Sequence, residues 1–146
     1  MRKDSWEQTL ILAAYEGSYP RMQNVIDRGA DVNTVDDFKN RSVLNIVAYD
    51  GIENCVQLLI DCGADLNYKD EDGNSSIAHA LIRSNVKCAR VLIVAGADLS
   101  DVPDIYKEQH ADLIKSAVQE WKELNPKLWA IKKKEIQDGR RSSLRN

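Results

Sequence analysis

The tripeptide Gly-Ala-Asp occurs three times, at Gly29-Ala30-Asp31, Gly63-Ala64-Asp65 and Gly96-Ala97-Asp98, with spacings of 34 and 33 residues. Self-similarity at a period of this length marks a stacked-repeat architecture, in which each unit buries its apolar face against its neighbours. Each copy follows an apolar run, Val25-Ile26, Leu58-Leu59-Ile60 or Val91-Leu92-Ile93, and is continued by an aliphatic residue, Val32, Leu66 or Leu99. Ahead of the second copy, Ile52, Cys55, Val56, Leu59 and Ile60 fall at helical spacing, which predicts a helix ending at a glycine suited to a left-handed cap. A shorter apolar helix precedes it, Val43 to Tyr49, set off by Asp50-Gly51; its counterpart in the first unit is Leu10 to Tyr15, closed by Glu16-Gly17. Between units the chain alternates from Asp65 and turns on Asp72-Gly73, a hairpin signal.

The stretch from Gly63 to Ser75, GADLNYKDEDGNS, resembles the G-A-D-V-N-x-x-D-x-x-G-x-T pattern of the ankyrin-repeat family. The family's T-P-L-H box is degenerate here, reading Gln8-Thr9-Leu10-Ile11, Ser42-Val43-Leu44-Asn45 and Ser75-Ser76-Ile77-Ala78. His79 is displaced by one position from the family's histidine and is not assigned its hydrogen-bonding role. The first finger carries Asp37-Phe38-Lys39 between Asp36 and Asn40 where the second has only Glu71-Asp72, and Asn40 stands in for the turn glycine because Asn tolerates the left-handed conformation. The resemblance implies an all-α repeat solenoid of paired antiparallel helices with β-hairpin fingers and a C-terminal helical extension. The repeats fill residues 1–100, as units of about 5–33, 34–67 and 68–100. Residues 101–124 form a capping helix or degenerate fourth repeat, and 125–146 a basic amphipathic helix and mobile tail.

Local signals at the two ends fit that division. Ser5-Trp6-Glu7-Gln8 has capping-box spacing and starts the first helix. Tyr106, His110, Leu113, Ala117, Trp121 and Leu124 fall on one face of a single helix from about Asp104 to Leu124, with Pro103 at its start. Asn125-Pro126 begins a further helix and Asp138-Gly139 is expected to stop it, leaving Arg140 to Asn146 unordered.

With 146 residues, 43% apolar and 29% charged, the chain is expected to hold one compact domain or a handful of stacked units, and to fold. No apolar run reaches the ~20 residues of a membrane span, and the start MRKDSWEQTL lacks the apolar stretch of a secretory signal. Cys55, Cys62 and Cys88 form an odd set without a C-x-x-C pair, so a reducing, cytoplasmic setting is expected, or the host-cell cytosol for an effector. Cys55 and Cys88 hold equivalent places one repeat apart and read as packing residues, whereas Cys62 is expected to be partly exposed. No G-x-x-x-x-G-K-[ST], G-x-G-x-x-G or H-E-x-x-H motif occurs, and no Ser-His-Asp or Cys-His arrangement can be placed. The expectation is therefore no catalytic residue, no metal, no cofactor and no small-molecule substrate.

Residues 1–124 hold 13 Lys+Arg against 21 Asp+Glu, while residues 125–146 hold 7 against 2. The basic tail, with Lys132, Lys133, Lys134, Arg140, Arg141 and Trp129, is open to three readings: a solvated helix face, contact with nucleic acid or an acidic membrane, or docking on the protein itself or a partner.

The resemblance implies a non-catalytic module that binds a protein on its concave face and fingers, as an inhibitor, immunity protein or host-directed effector. The alternative is an adaptor to nucleic acid or an acidic membrane through the tail. The family's contact surface maps here onto Asp37, Phe38, Lys39 and Arg41 in the first finger and Glu71, Asp72 and Asn74 in the second. At the helix ends it maps onto Tyr15-Glu16, Tyr49-Asp50 and Ile82-Arg83, where the carboxylates favour a partner presenting basic residues. Asn67, preceded by Asp65-Leu66 and with Leu59 upstream, resembles the family's asparagine-hydroxylation pattern.

Overall fold

A computed structural model of the protein describes residues 4–144, with side chains for residues 6–139. Among the described residues the chain forms α1 (Asp4–Glu16), α2 (Tyr19–Asp27), α3 (Val43–Asp50), α4 (Glu53–Asp61), α5 (Ser76–Ile82), α6 (Val86–Val94), α7 (Asp104–Gln109), α8 (Ala111–Leu124) and α9 (Pro126–Leu144). Consecutive helices pair as α1/α2, α3/α4, α5/α6 and α7/α8. The first members stack on one another in the order α1, α3, α5, α7, and the second members in the order α2, α4, α6, α8, so two helical layers run the length of the stack.

Burial follows the repeat register. Leu10, Leu44 and Ile77 occupy one position in α1, α3 and α5 and are at most 1% exposed. Met22, Val56 and Ala89 do the same in α2, α4 and α6, as do Val25, Leu59 and Leu92. Cys55 and Cys88 are buried between the second helices, where desolvation pushes both thiols up, Cys88 to about 11, so they pack as small apolar side chains. Cys62 is exposed at the end of α4.

The Gly-Ala-Asp frame has a local cause and a longer-range one. Gly29, Gly63 and Gly96 take φ of 97°, 84° and 100° to leave the second helices, which a side chain would resist. The following aspartate then folds a turn by accepting from the N–H two residues on, Asp31 from Asn33 and Asp65 from Asn67. Asn33 Oδ1 in turn accepts from the Asp65 N–H and Asn67 Oδ1 from the Asp98 N–H, each at 2.8 Å, joining one unit to the next.

The fingers are turns rather than strands. Among the described residues the only named β-contact is the isolated antiparallel bridge Val35–Ser42, so the expected β-hairpins reduce to a few backbone bonds, Asp36 N–H to Arg41 O and Asp70 N–H to Asn74 O. The finger aspartates replace the missing ladder: Asp36 Oδ1 accepts from the Lys39 and Arg41 N–H groups, and Asp70 Oδ1 from those of Asp72 and Asn74. Asn40 does adopt the left-handed conformation expected of it, at φ 50°.

Three expectations at the ends are corrected. Ser5 lies within α1 instead of preceding it, and its side chain is outside those described. The single helix from Asp104 to Leu124 is two helices, broken at His110 with φ −116° and ψ 26°. The break is a tertiary effect: His110 Nε2 lies 3.1 Å from the carbonyl of Leu81, an end carbonyl of α5, and a carbonyl can only accept. Ala117 is buried as expected, but Leu124 is exposed. Finally, α9 runs through Asp138-Gly139 to Leu144. Gly139 does not enter the left-handed region that a glycine helix stop uses. The side chains of Arg140 and Arg141, and all of Arg145 and Asn146, lie outside the described residues.

Candidate functional site

The register that stacks the core also sets Tyr15, Tyr49 and Ile82 at one position near the ends of α1, α3 and α5, followed by Glu16, Asp50 and Arg83. The third unit therefore carries a cation where the first two carry carboxylates. Tyr15, Ile82 and Phe38 are exposed, Phe38 at 75% on the tip of the first finger. Asp37, Asp50, Glu71, Asp72 and Arg83 are also exposed, while Lys39, Tyr49 and Asn74 are half-buried.

Several of these side chains are engaged within the protein. The Tyr15 hydroxyl donates to Asp36 Oδ2. Desolvation and the neighbouring Asp36 carboxylate push the Tyr15 phenol up to about 12, so it stays a donor at neutral pH. For Asp36, burial acts to raise its carboxyl, but the bonds from Tyr15 and from the Arg41, Lys39 and Phe38 backbone outweigh it and hold the group below the usual carboxylate range. Lys39 Nζ reaches Asp72 Oδ2 of the next finger at 3.3 Å, and Glu16 pairs with Arg21. Two of the carboxylates expected to face a partner thus already hold cations of this chain.

The centre of the face is a cluster on Tyr49 that draws on the second and third units. The Arg41 guanidinium carbon lies 4.8 Å from the Tyr49 ring centroid and that of Arg83 lies 4.6 Å away. The His79 ring meets Tyr49 edge-on at 5.6 Å and 79°. Beneath them His79 Nε2 stands 2.6 Å from Asp70 Oδ2, and because a carboxylate only accepts, that nitrogen carries the proton. Sequence reasoning withheld a hydrogen-bonding role from His79, and the structure restores one: α5 aims this displaced histidine at the finger aspartate. Burial lowers its pKa against the opposing pull of Asp70, so it is neutral at pH 7. Arg41 Nε approaches the same Asp70 oxygen at only 3.7 Å and has no hydrogen-bond acceptor.

The remaining singled-out residues lie elsewhere. Asn67 is exposed on the turn after α4, its Oδ1 engaged by the Asp98 N–H. In α9, Lys132 lies over the Trp121 ring at 4.8 Å, and Lys122 of α8 over Trp129 at 4.0 Å, so these contacts fasten α9 to α8. Leu128, Ile131 and Ile136 stay about half exposed, and Lys127, Lys133 and Lys134 point to solvent. Among the described residues there is no cluster of three or more His, Cys, Asp or Glu able to hold a metal ion, and no helix long and apolar enough to cross a membrane.

A family profile described as Ankyrin repeats (3 copies) matches residues 10–102. No curated protein matches the chain.

Proposed function

Because the chain belongs to the ankyrin-repeat family, whose repeats generally mediate protein–protein interaction, we propose that it is a non-catalytic module holding a protein partner against its fingers and the exposed ends of its first helices. The observation that carries this reading is the row of exposed or half-buried aromatic and aliphatic side chains on that face, Tyr15, Phe38, Tyr49 and Ile82, interleaved with charges. Such side chains give large contact area at low entropic cost and are typical interface anchors. Asp37, Asp50 and Glu71 form a carboxylate rim that suits basic residues on the partner. The module is proposed to occlude that partner, as an inhibitor, immunity protein or host-directed effector. Asn67, exposed on its turn, is the proposed site of hydroxylation where the cell supplies that enzyme.

A partner captured from the native host and identified by mass spectrometry provides the test. Tyr49→Ala or Phe38→Ala weakens its binding by about 1–3 kcal/mol while leaving the melting temperature within a few degrees for Phe38→Ala. Unchanged affinity for both variants contradicts the reading. A second reading, an adaptor to nucleic acid or an acidic membrane, draws support from the solvent-facing Lys127, Lys133 and Lys134 of α9. It requires binding that falls steeply with salt and is lost when those lysines become glutamine.

A further inference from the structure

The cluster on Tyr49 gathers donors without giving them an acceptor. Arg83 makes no ion pair and no side-chain hydrogen bond among the described residues, and its guanidinium lies over the Tyr49 ring. Arg41, with its side chain 16% exposed, has Asp70 at 3.7 Å as its one ion-pair partner among the described residues, and that carboxylate oxygen is already held by His79 at 2.6 Å. The Tyr49 hydroxyl has no hydrogen-bond partner among the described residues, unlike its repeat equivalent Tyr15, which donates to Asp36. Two guanidinium groups on one ring repel each other, and the ring's π-face offsets only part of that cost.

The repeat register gives an independent argument. Positions 16, 50 and 83 are equivalent, and they read Glu, Asp and Arg. Glu16 is paired with Arg21, whereas Arg83 has exchanged the unit's carboxylate for a cation and lies on the same Tyr49 ring as the Arg41 of the first finger. Guanidinium groups therefore stand at the centre of the face and carboxylates at its rim.

We propose that the Arg41–Tyr49–Arg83 cluster is a socket for a carboxylate side chain of the protein partner, an Asp or Glu set between the partner's basic residues. This rests on the reading of the finger face as the protein-binding face. Planar guanidinium forks match carboxylate geometry, and the bonds they form are charge-assisted, shorter and stronger than neutral ones. The Tyr49 O–H supplies a further donor. The occupant neutralises two cations that the fold leaves under-compensated, so the contact contributes specificity as well as affinity: a glutamine of the same shape leaves the cluster charged.

The experiment uses the full chain and binders selected from a random peptide library, with the Nε–Hε NMR signals of Arg41 and Arg83 and the backbone amide signals as readouts. Binders that shift the amides of the fingers and of the α3 and α5 ends are expected also to move both arginine signals and to contain an essential Asp or Glu. Changing that acid to its amide weakens binding about tenfold, the scale of one charge-assisted bond. Arg83→Gln costs the same factor, and the two losses do not add. Arg83→Glu restores binding to a peptide whose acid is changed to Lys. Because Arg83 is exposed, both variants should keep the wild-type melting temperature, which excludes misfolding as the cause. Binders that occupy the fingers with no need for an acid, or with losses that add independently, overturn the socket and leave the binding face standing. Binders that shift only α4 and α6 overturn the face and the socket with it. A phosphoserine replacement of the acid that binds tenfold tighter than the acid itself reassigns the socket to phosphate and overturns the carboxylate proposal.

Discussion

At the scale of single residues, the finger aspartates carry more than the repeat pattern shows. Asp36 and Asp70 each tie a turn through backbone N–H groups and also anchor a ring from a first helix, Tyr15 of α1 and His79 of α5. The two anchors titrate in different ranges. His79 has a folded-state pKa below the 6.5 of the free side chain, because burial lowers it more than Asp70 and Asp72 raise it, with Arg41 lowering it further. Below about pH 6.5 the unfolded chain therefore takes up a proton that the folded chain refuses, and stability falls as pH drops from there toward the folded value. Asp36 acts lower: its folded pKa is held below 3.8, so its contribution is present above that value and is lost as pH falls through the folded one. The expected result is a urea midpoint for the wild type that drops between about pH 7.5 and about pH 5.5, and for His79→Gln a midpoint that changes less over the same interval. An equal drop in both proteins removes His79 from the account. Neither anchor could be read from the sequence, since the acceptors lie 21 and 9 residues from the donors and only the finger's return brings them together.

At the scale of elements, the helices whose signals are local were legible and those whose limits are tertiary were not. Ser42 caps α3 through the Asn45 N–H while Asn45 returns a bond to the Ser42 N–H, a reciprocal pattern written within four residues. Gly51 at φ 77° ends the same helix, and Asn85 of the next unit closes over it by donating to the carbonyls of Ala48 and Tyr49, both at 2.9 Å. The break at His110 instead depends on a carbonyl 29 residues away. The fourth helix pair also lacks a finger: α7 starts five residues after Leu99, whereas α5 starts ten after Leu66, which hides its kinship with the other units. Geometrically α7 and α8 continue the two layers, with α8 covering α6 and Trp121 lying against Gly96. Removing residues 101–146 should therefore expose Ile93 of α6 and the Ala97 that follows it, and cause aggregation or loss of a cooperative melt. Trp121→Ala, which removes a half-buried ring, should cost about 1–2 kcal/mol in chemical denaturation. A truncated chain that melts like the full one makes α7 to α9 an appendage.

At the scale of the whole molecule, the 33–34-residue period dictates a stack with one face built of turns and helix ends, and the side chains on that face are free to vary. Phe38 shows this freedom: it sits in the residues inserted into the first finger and is left 75% exposed, where burial would otherwise be the rule for its type. The Tyr49 cluster was partly legible, because Arg41, Tyr49 and Arg83 were each placed on the face by register. Their convergence was not, since it joins one finger to two successive helices. The charge pattern changed meaning accordingly, from a run of Tyr-acid pairs to a carboxylate rim around a cationic centre. The central claim, that this face holds the partner, is tested most directly by hydrogen exchange of the full chain with and without its captured partner. The account predicts slowed exchange in the fingers, residues 35–42 and 68–75, and at the ends of α1, α3 and α5. Protection confined to α4 and α6, with both fingers exchanging as in the free protein, would contradict it.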